Sequence, residues 1–577
     1  MKRITFIISL FTGLLLFQSR LADGQSNMGL PVSGISPDKM IREQLFLYTD
    51  RTIYAVNENI LFKADYAIEN ISDAKPWSTV VYVELIRQDG QPVVQSKVEL
   101  SKSGAQGNIR IPEEVVTGNY YLKAYTKWMC NFSAEGYAYK PVKIVNPFND
   151  KMVSVDRTGD SPAGPDAHPV QPDSVFSCSA DKARIGKREL VTLTLSAGKE
   201  TDFLKGVAVS IGKKGSNAFL LECSGTEEAL ALTDEKQGYL PEPRGISISG
   251  KIVQKETGDE VPYARVHLAQ LTANAFYTGY LTDKSGRFLF TFPYSEGSSD
   301  FYLEAEHLDM PLSVKTDPEF CGARYSPGNI PFELTETEKE IARDICINMQ
   351  IGKFVESTQK NSDLTDYQND TIANSFYGKP DKVIYMDKYV RLTTIREFFF
   401  ELVPEFILET KNKKSVLKLA KNTSLVDFPV LCLIDNVPVT DMGKLLNIHM
   451  EKLERVEIIT KAYTVGNLQY NGVIHAFSKN RDMAGVELSK NAKFFNLGLY
   501  SVSDSLNFPQ MAECHSDRIP DRRNTLYWNP ALTLQQGQEQ KISFYTADLK
   551  GEYEILVQGL ASNGKRTYWR KSCFTVE

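Results

Sequence analysis

Eight cysteines are scattered through 577 residues, at positions 130, 178, 223, 321, 346, 432, 514 and 573, and none forms a Cys-x-x-Cys pair. That spacing excludes a zinc ribbon and a thioredoxin-like redox motif. Histidine is scarcer still, with six residues at 168, 267, 307, 449, 475 and 515. They show no His-Glu-x-x-His or His-x-His spacing, so the usual zinc-ligand pattern is missing. There is no Gly-x-Ser-x-Gly elbow, no Walker loop and no Gly-x-Gly-x-x-Gly turn, which removes the common signatures of α/β-hydrolases, P-loop NTPases and dinucleotide enzymes. Lys and Arg number 66 against 72 Asp and Glu, a formal charge of −6. Nucleic acid is therefore a poor ligand, since phosphate binding wants a concentrated basic surface. Beyond the N-terminus no stretch approaches the ~20 apolar residues of a spanning helix, so no transmembrane segment is expected in the mature chain.

Residues 1–24 read as a secretory signal. Lys2 and Arg3 form a charged start, Ile4–Phe17 an apolar run too short to span a membrane, and Ala22-Asp23-Gly24 a small-x-small cleavage site. No cysteine lies in or just after the signal, which argues against a lipid anchor there. The expectation is an exported protein of several domains, with 42% hydrophobic residues to fill their cores. An oxidising compartment allows disulfides, although the spacings do not assign a pairing. Cys432, inside the apolar run VLCLI, reads as a buried small hydrophobe.

Alternating apolar and aromatic residues, broken by Gly, Asn and Asp, fill the first third of the chain and predict a β-sandwich over 40–147. Its Tyr48-Thr49-Asp50-Arg51, followed by Tyr54 and an Asn57-Glu58 turn, resembles the second macroglobulin-type (MG2) domain. A Pro, Gly, Asp and Ser-rich stretch over 148–171 reads as a linker. Alternation resumes over 172–235, predicting a second sandwich. Residues 246–350 resemble a carboxypeptidase regulatory-like domain with an extension, on Gly250, Pro262, Tyr263, Ala264, Val266, Thr282, Asp283, Gly286 and Phe288; the resemblance implies a small sandwich without catalytic residues. A last sandwich is expected over 484–577. The predicted fold class is mainly β and multidomain, with several Ig or macroglobulin-like sandwiches plus one small α/β unit.

That α/β unit, 382–482, carries Ile434-Asp435-Asn436-Val437-Pro438, Leu453-Glu454-Arg455-Val456-Glu457-Ile458-Ile459 and Tyr470-Asn471-Gly472-Val473-Ile474. The pattern resembles the plug domain of TonB-dependent outer-membrane receptors, with Asn436 in place of the usual Gly. A receptor barrel of 22 strands at about 9–11 residues each needs more than ~200 residues, and only residues 481–577 follow. The resemblance therefore implies a plug without a barrel, whose turns at Asp435, Asn436, Pro438, Tyr470 and Gly472 form docking loops for an outer-membrane or periplasmic protein, a TonB-dependent receptor being one such partner. The plainer alternative is a small α/β domain whose Gly and Pro serve its own turns.

No constellation for catalysis emerges, and no cofactor is implied. The macroglobulin thioester needs Cys-Gly-Glu-Gln, whereas the sequence here is Cys321-Gly322-Ala323-Arg324. Asp300, Glu304 and Glu306 read as a solvated strand face. The 27 Tyr and 30 Phe leave room for a sugar-binding surface, though most belong in cores. Two functions are carried forward: a non-enzymatic envelope scaffold that docks through its plug-like unit, and a macroglobulin-like protease-binding or defence protein without a thioester. The second predicts an exposed cleavable loop, as in the 149–174 segment, and a stable complex after a single cut.

Overall fold

A computed structural model describes residues 41–70, 77–153, 175–198, 203–217, 238–271, 276–292, 294–307, 310–328, 330–359, 375–388, 394–411, 414–420, 428–501, 520–535, 537–562, 564 and 567–577. The expected signal, most of the linker, Cys514 and His515 lie outside them. The fold is mainly β and multidomain. Among the described residues no helix is long and apolar enough to cross a membrane.

In the first sandwich the strands Arg42–Thr49, Asn59–Glu69, Gly104–Arg110, Pro92–Ser101, Val80–Arg87, Gly118–Tyr125, Ala138–Val145 and Ile53–Ala55 neighbour one another in that order. Only the last pair is parallel. The link between its two layers is the short pairing Leu100↔Ala105 and Ser101↔Gly104. Alternation predicts one solvated face per strand, yet Val80–Arg87 is buried at every position but the last. Neighbouring modules cover the second face, and the polar residues there become buried ion pairs. Lys63 and Asp65 meet at 2.8 Å with both side chains fully buried, and Lys63 Nζ also donates to the Gly206 carbonyl. Lys143 pairs at 2.7 Å with Glu338, on the helix Glu336–Gln359. Between the third sandwich and that helix, residues 317–328 and 330–335 form an irregular strap across the first sandwich. It is tied down by Gln88 and Asn119 to the Ile330 carbonyl, and by Tyr121 to that of Gly328.

The second sandwich corrects the expected boundaries. Strands Glu539–Tyr545, Leu190–Ala197 and Phe176–Ala180 make one layer; Arg184–Ile185, Thr567–Val576, Gly551–Ala561, Phe203–Lys213 and Thr525–Leu532 make the other. Segments read as two sandwiches, 172–235 and 484–577, are halves of one, around a common core that includes Val191, Leu193, Val209, Ile555 and Phe574. Half a sandwich has an apolar face to bury, and period-two patterning does not say which later segment covers it.

The third sandwich pairs Arg287–Thr291, Ser247–Gln254 and Leu312–Thr316 against Phe276–Leu281, Arg265–Gln270, Ser298–Glu306 and Ala492–Gly498. Ala492–Gly498 is a second boundary correction, because it joins this sheet and not a C-terminal domain. One hydrophobic core runs from the first sandwich into the third and onto the helix through Ile341 and Ile345.

A mixed sheet, Lys382–Tyr385, Leu453–Ile459, Val473–Ser478, Leu431–Ile434 and Val437–Pro438 in order, makes the fourth unit. Leu431–Ile434 runs parallel to Val473–Ser478. The helices Ile395–Leu402 and Met442–Leu446 contribute to a core of its own. The first helix begins in a capping box between Thr394 and Glu397 and stops before Pro404. The chain is thus nested: the fourth unit is inserted in the third sandwich, which is inserted in the second.

Candidate docking site

Asp435 and Asn436 make a two-residue hairpin turn, since Ile434 pairs with Val437 and Leu433 with Pro438. Both sit at positive φ, 46° and 71°, a conformation Asn and Asp tolerate better than other side chains. The Asp435 carboxylate faces inward and accepts from the backbone N–H groups of Ser478 and Met483, each at 2.8 Å, and from the Ser478 hydroxyl. Asn436 N–H donates to His475 Nε2 at 3.0 Å. That bond assigns the proton to Nδ1, which donates to the Tyr377 hydroxyl at 2.9 Å. Tyr377 in turn donates to Glu457 Oε2 at 2.8 Å, and Arg455 Nε donates to Oε1 of the same carboxylate at 2.9 Å. Burial, then the nearby Arg455 and Arg481 charges, lower the His475 pKa to about 3. At neutral pH this ring is a fixed neutral strut.

The other three expected docking residues also point inward. Pro438 is buried in its short strand. The Tyr470 hydroxyl meets that of Tyr277 at 3.2 Å, and Tyr277 reaches His267 Nδ1 at 2.8 Å. Gly472, at φ 112°, has the Ile459 carbonyl 2.7 Å and the Phe406 ring 2.8 Å from where a Cβ would lie. The structure thus brings Asp435 and Asn436 together on His475 and Ser478, and sets Tyr470 apart on the third sandwich. Of the expected docking residues Tyr470 is taken up within the molecule, because the apolar face Ala269, Tyr277 and Tyr302 of the third sandwich is covered by Leu431, Leu433, Val437, Tyr470 and Val473; the Asp435-Asn436 turn is half-buried. The solvated carboxylate face is corrected as well. Glu304 is buried and accepts from the Tyr302 and Thr440 hydroxyls at 2.7 and 2.9 Å, while Asp300 alone of the three is exposed.

Where the first, third and fourth units meet, a groove of about 550 Å³ stays open. Trp77, Pro241, Pro243, Arg244, Tyr280 and Phe290 line it, and the Gly466-Asn467 turn closes one end. The lining segment around Pro241 and Pro243 is anchored by Glu242, which is buried and accepts from Tyr82 Oη at 3.0 Å and from Ser247 N–H at 2.8 Å. Trp77 stacks edge-on against Trp128 with centroids 6.1 Å apart, and its indole N–H has no hydrogen-bond partner among the described residues. The groove lies between modules, so no local motif announces it. Apart from it, Phe400 is 87% exposed. That exposure was legible: in Ile-Arg-Glu-Phe-Phe-Phe-Glu-Leu a helical period can bury residues 395, 398 and 399 but not also 400. Among the described residues no group of three or more His, Cys, Asp and Glu is placed to hold a metal ion.

Residues 44–137 match the MG2 domain family. The first sandwich is a macroglobulin-type domain. Its motif closes the junction with the second sandwich. Arg51 donates to Asp50 at 3.2 Å and to Glu58 at 3.1 Å, Tyr54 Oη donates to Asp50 Oδ1 at 2.8 Å, and Thr525 Oγ1 donates to Asp50 Oδ2 at 2.6 Å. Burial opposes the Arg51 charge, but Glu58 and Asp50 outweigh it and hold the pKa above the ordinary arginine value. Among solved structures, a mutant Salmonella alpha-2-macroglobulin aligns at 9% identity over 96% of this chain and 40% of that one, TM-score 0.23. A trypsin-activated Escherichia coli alpha-2-macroglobulin aligns at 10% over 94% and 42%, TM-score 0.23, and the Yersinia pseudotuberculosis adhesin InvE at 15% over 52% and 66%, TM-score 0.11. The chain spans about two fifths of the length of these macroglobulins. No curated protein matches it.

Proposed function

We propose that this chain is an exported, non-enzymatic scaffold of the bacterial envelope, acting in the periplasm or at the outer membrane, and that it holds a protein partner in the groove between its first, third and fourth units. The observation that carries the reading is the groove itself: aromatic and proline side chains and the exposed Arg244 converge there, beside a segment fixed by Glu242. Such a surface suits an extended polypeptide that lays apolar side chains on Trp77 and Tyr280 and presents a carboxylate to Arg244. A TonB-dependent receptor remains one candidate partner, reached through this groove and not through the turns at Asp435 and Tyr470.

A photo-crosslinking residue at Tyr280, in native envelopes, is expected to trap one envelope protein, and Arg244→Glu in the same chain to cut the yield at least tenfold. The same residue at Phe400 is expected to trap none of it. Equal yields at both positions, or indifference to Arg244→Glu, would contradict the groove as the docking surface. The MG2 match also supports the protease-binding reading. Its proposed cleavable loop, 149–174, falls almost wholly outside the described residues.

A further inference from the structure

We propose that Cys130 and Cys321 are a disulfide-forming pair that fastens the irregular strap to the macroglobulin-type domain. Cys130 lies in the short 3-10 turn Trp128–Asn131, is 5% exposed, and has its sulfur 3.6 Å from the Thr126 carbonyl oxygen. Cys321 lies in the strap. Its N–H donates to Tyr125 Oη at 3.0 Å, and its sulfur sits 3.4 Å from Tyr137 Oη. Those two tyrosines stack at 4.9 Å. Both cysteines pack on one hydrophobic core, Cys321 with its sulfur on the Tyr137 hydroxyl, and the two thiols are within hydrogen-bonding reach of one another. The strap is held just before Cys321, because Phe320 packs edge-on against Tyr82 at 5.5 Å and Glu319 pairs with Lys97. The other described cysteines belong to different places: Cys178 and Cys573 to the second sandwich, Cys346 to the helix, Cys432 to the mixed sheet.

The two sulfurs differ in a way that sets the order of events. The hydrogen bond from Cys130, then the one from Tyr137, bring the Cys321 thiol down to about 6, whereas burial pushes that of Cys130 well up. Cys321 is also the partly exposed member. In an oxidising compartment its thiolate attacks a small disulfide or the disulfide of an exchange catalyst, forming a mixed disulfide and releasing one thiolate. Cys130 then attacks the Cys321 sulfur, its proton passing to the second thiolate as that leaves. Two protein thiols become one disulfide, and the incoming disulfide takes up the two electrons as two thiols. The product joins residues far apart in sequence, so it restrains the unfolded chain strongly.

The test is a peptide map of the full chain after equilibration with oxidised and reduced glutathione and blocking with N-ethylmaleimide. The expected result is one linked peptide pair carrying Cys130 and Cys321, lost in Cys321→Ser and kept in Cys432→Ser. Reduction is expected to lower the thermal midpoint of the wild type and to leave the Cys130→Ser/Cys321→Ser variant unmoved. The proposal is overturned if both cysteines of the wild type carry N-ethylmaleimide or glutathione, if Cys321 is joined to another cysteine, or if reduction acts equally on the double variant.

Discussion

His475 and Asp50 show what single residues do in this chain. His475 is buried and neutral, with a pKa of about 3 in the folded protein against an ordinary 6.5. Between those values the unfolded chain binds the proton and the folded one does not, so stability is whole above about pH 6.5 and is lost as pH falls toward 3. Urea unfolding followed by a probe in the fourth unit is expected to show a slope of up to about 1.4 kcal/mol per pH unit in that window, and His475→Gln to flatten it. Asp50 is a partner of the buried Arg51 and of Thr525 across the module junction. Asp50→Ala leaves that guanidinium short of a counter-charge and is expected to cost about 3–5 kcal/mol in urea unfolding. The Thr-Asp-Arg and Tyr54 motif was visible in the sequence, but its role was not. A charge becomes a clamp only when a second module, here Thr525 from far along the chain, arrives to bury it.

Among elements, those whose patterning is complete within themselves were the legible ones. The strand Leu190–Ala197 buries alternate residues as its composition suggests, and the helix Ile395–Leu402 starts at its capping box and ends before a proline. Partnership was harder to read, because sheet edges accept any strand of the right period; Ala492–Gly498 is the case in point, extending a sheet built from Arg265–Gln270, Phe276–Leu281 and Ser298–Glu306. The hairpin Tyr463–Val465 and Leu468–Tyr470 is another. Its turn packs on the third sandwich: Gly466, at φ 60°, would place a Cβ 1.9 Å from the Gly279 carbonyl, and Asn467 accepts from the Leu281 N–H at 2.6 Å. Gly466→Ala is expected to lift this hairpin off the third sandwich at a cost of about 1–3 kcal/mol, measured by chemical denaturation, while the remote second sandwich keeps its own unfolding midpoint.

For the whole molecule the governing fact is the nesting of its units. The fourth unit enters and leaves through the third sandwich, which enters and leaves through the second, and a continuous core joins the third sandwich to the first. The fourth unit is thereby a fixed part of the molecule, its apolar sheet face laid on Tyr277 and Tyr302. The groove is formed only where modules meet, and the sequence patterns that marked individual strands and turns carry no sign of it. Hydrogen–deuterium exchange on the intact chain tests this arrangement most directly. The account predicts that amides of 431–434 and 468–478 are protected as strongly as those of 265–270 in the sandwich beneath them. Rapid exchange across 468–478 with 265–270 still protected would mean a fourth unit that stands free of its neighbour, and would contradict it.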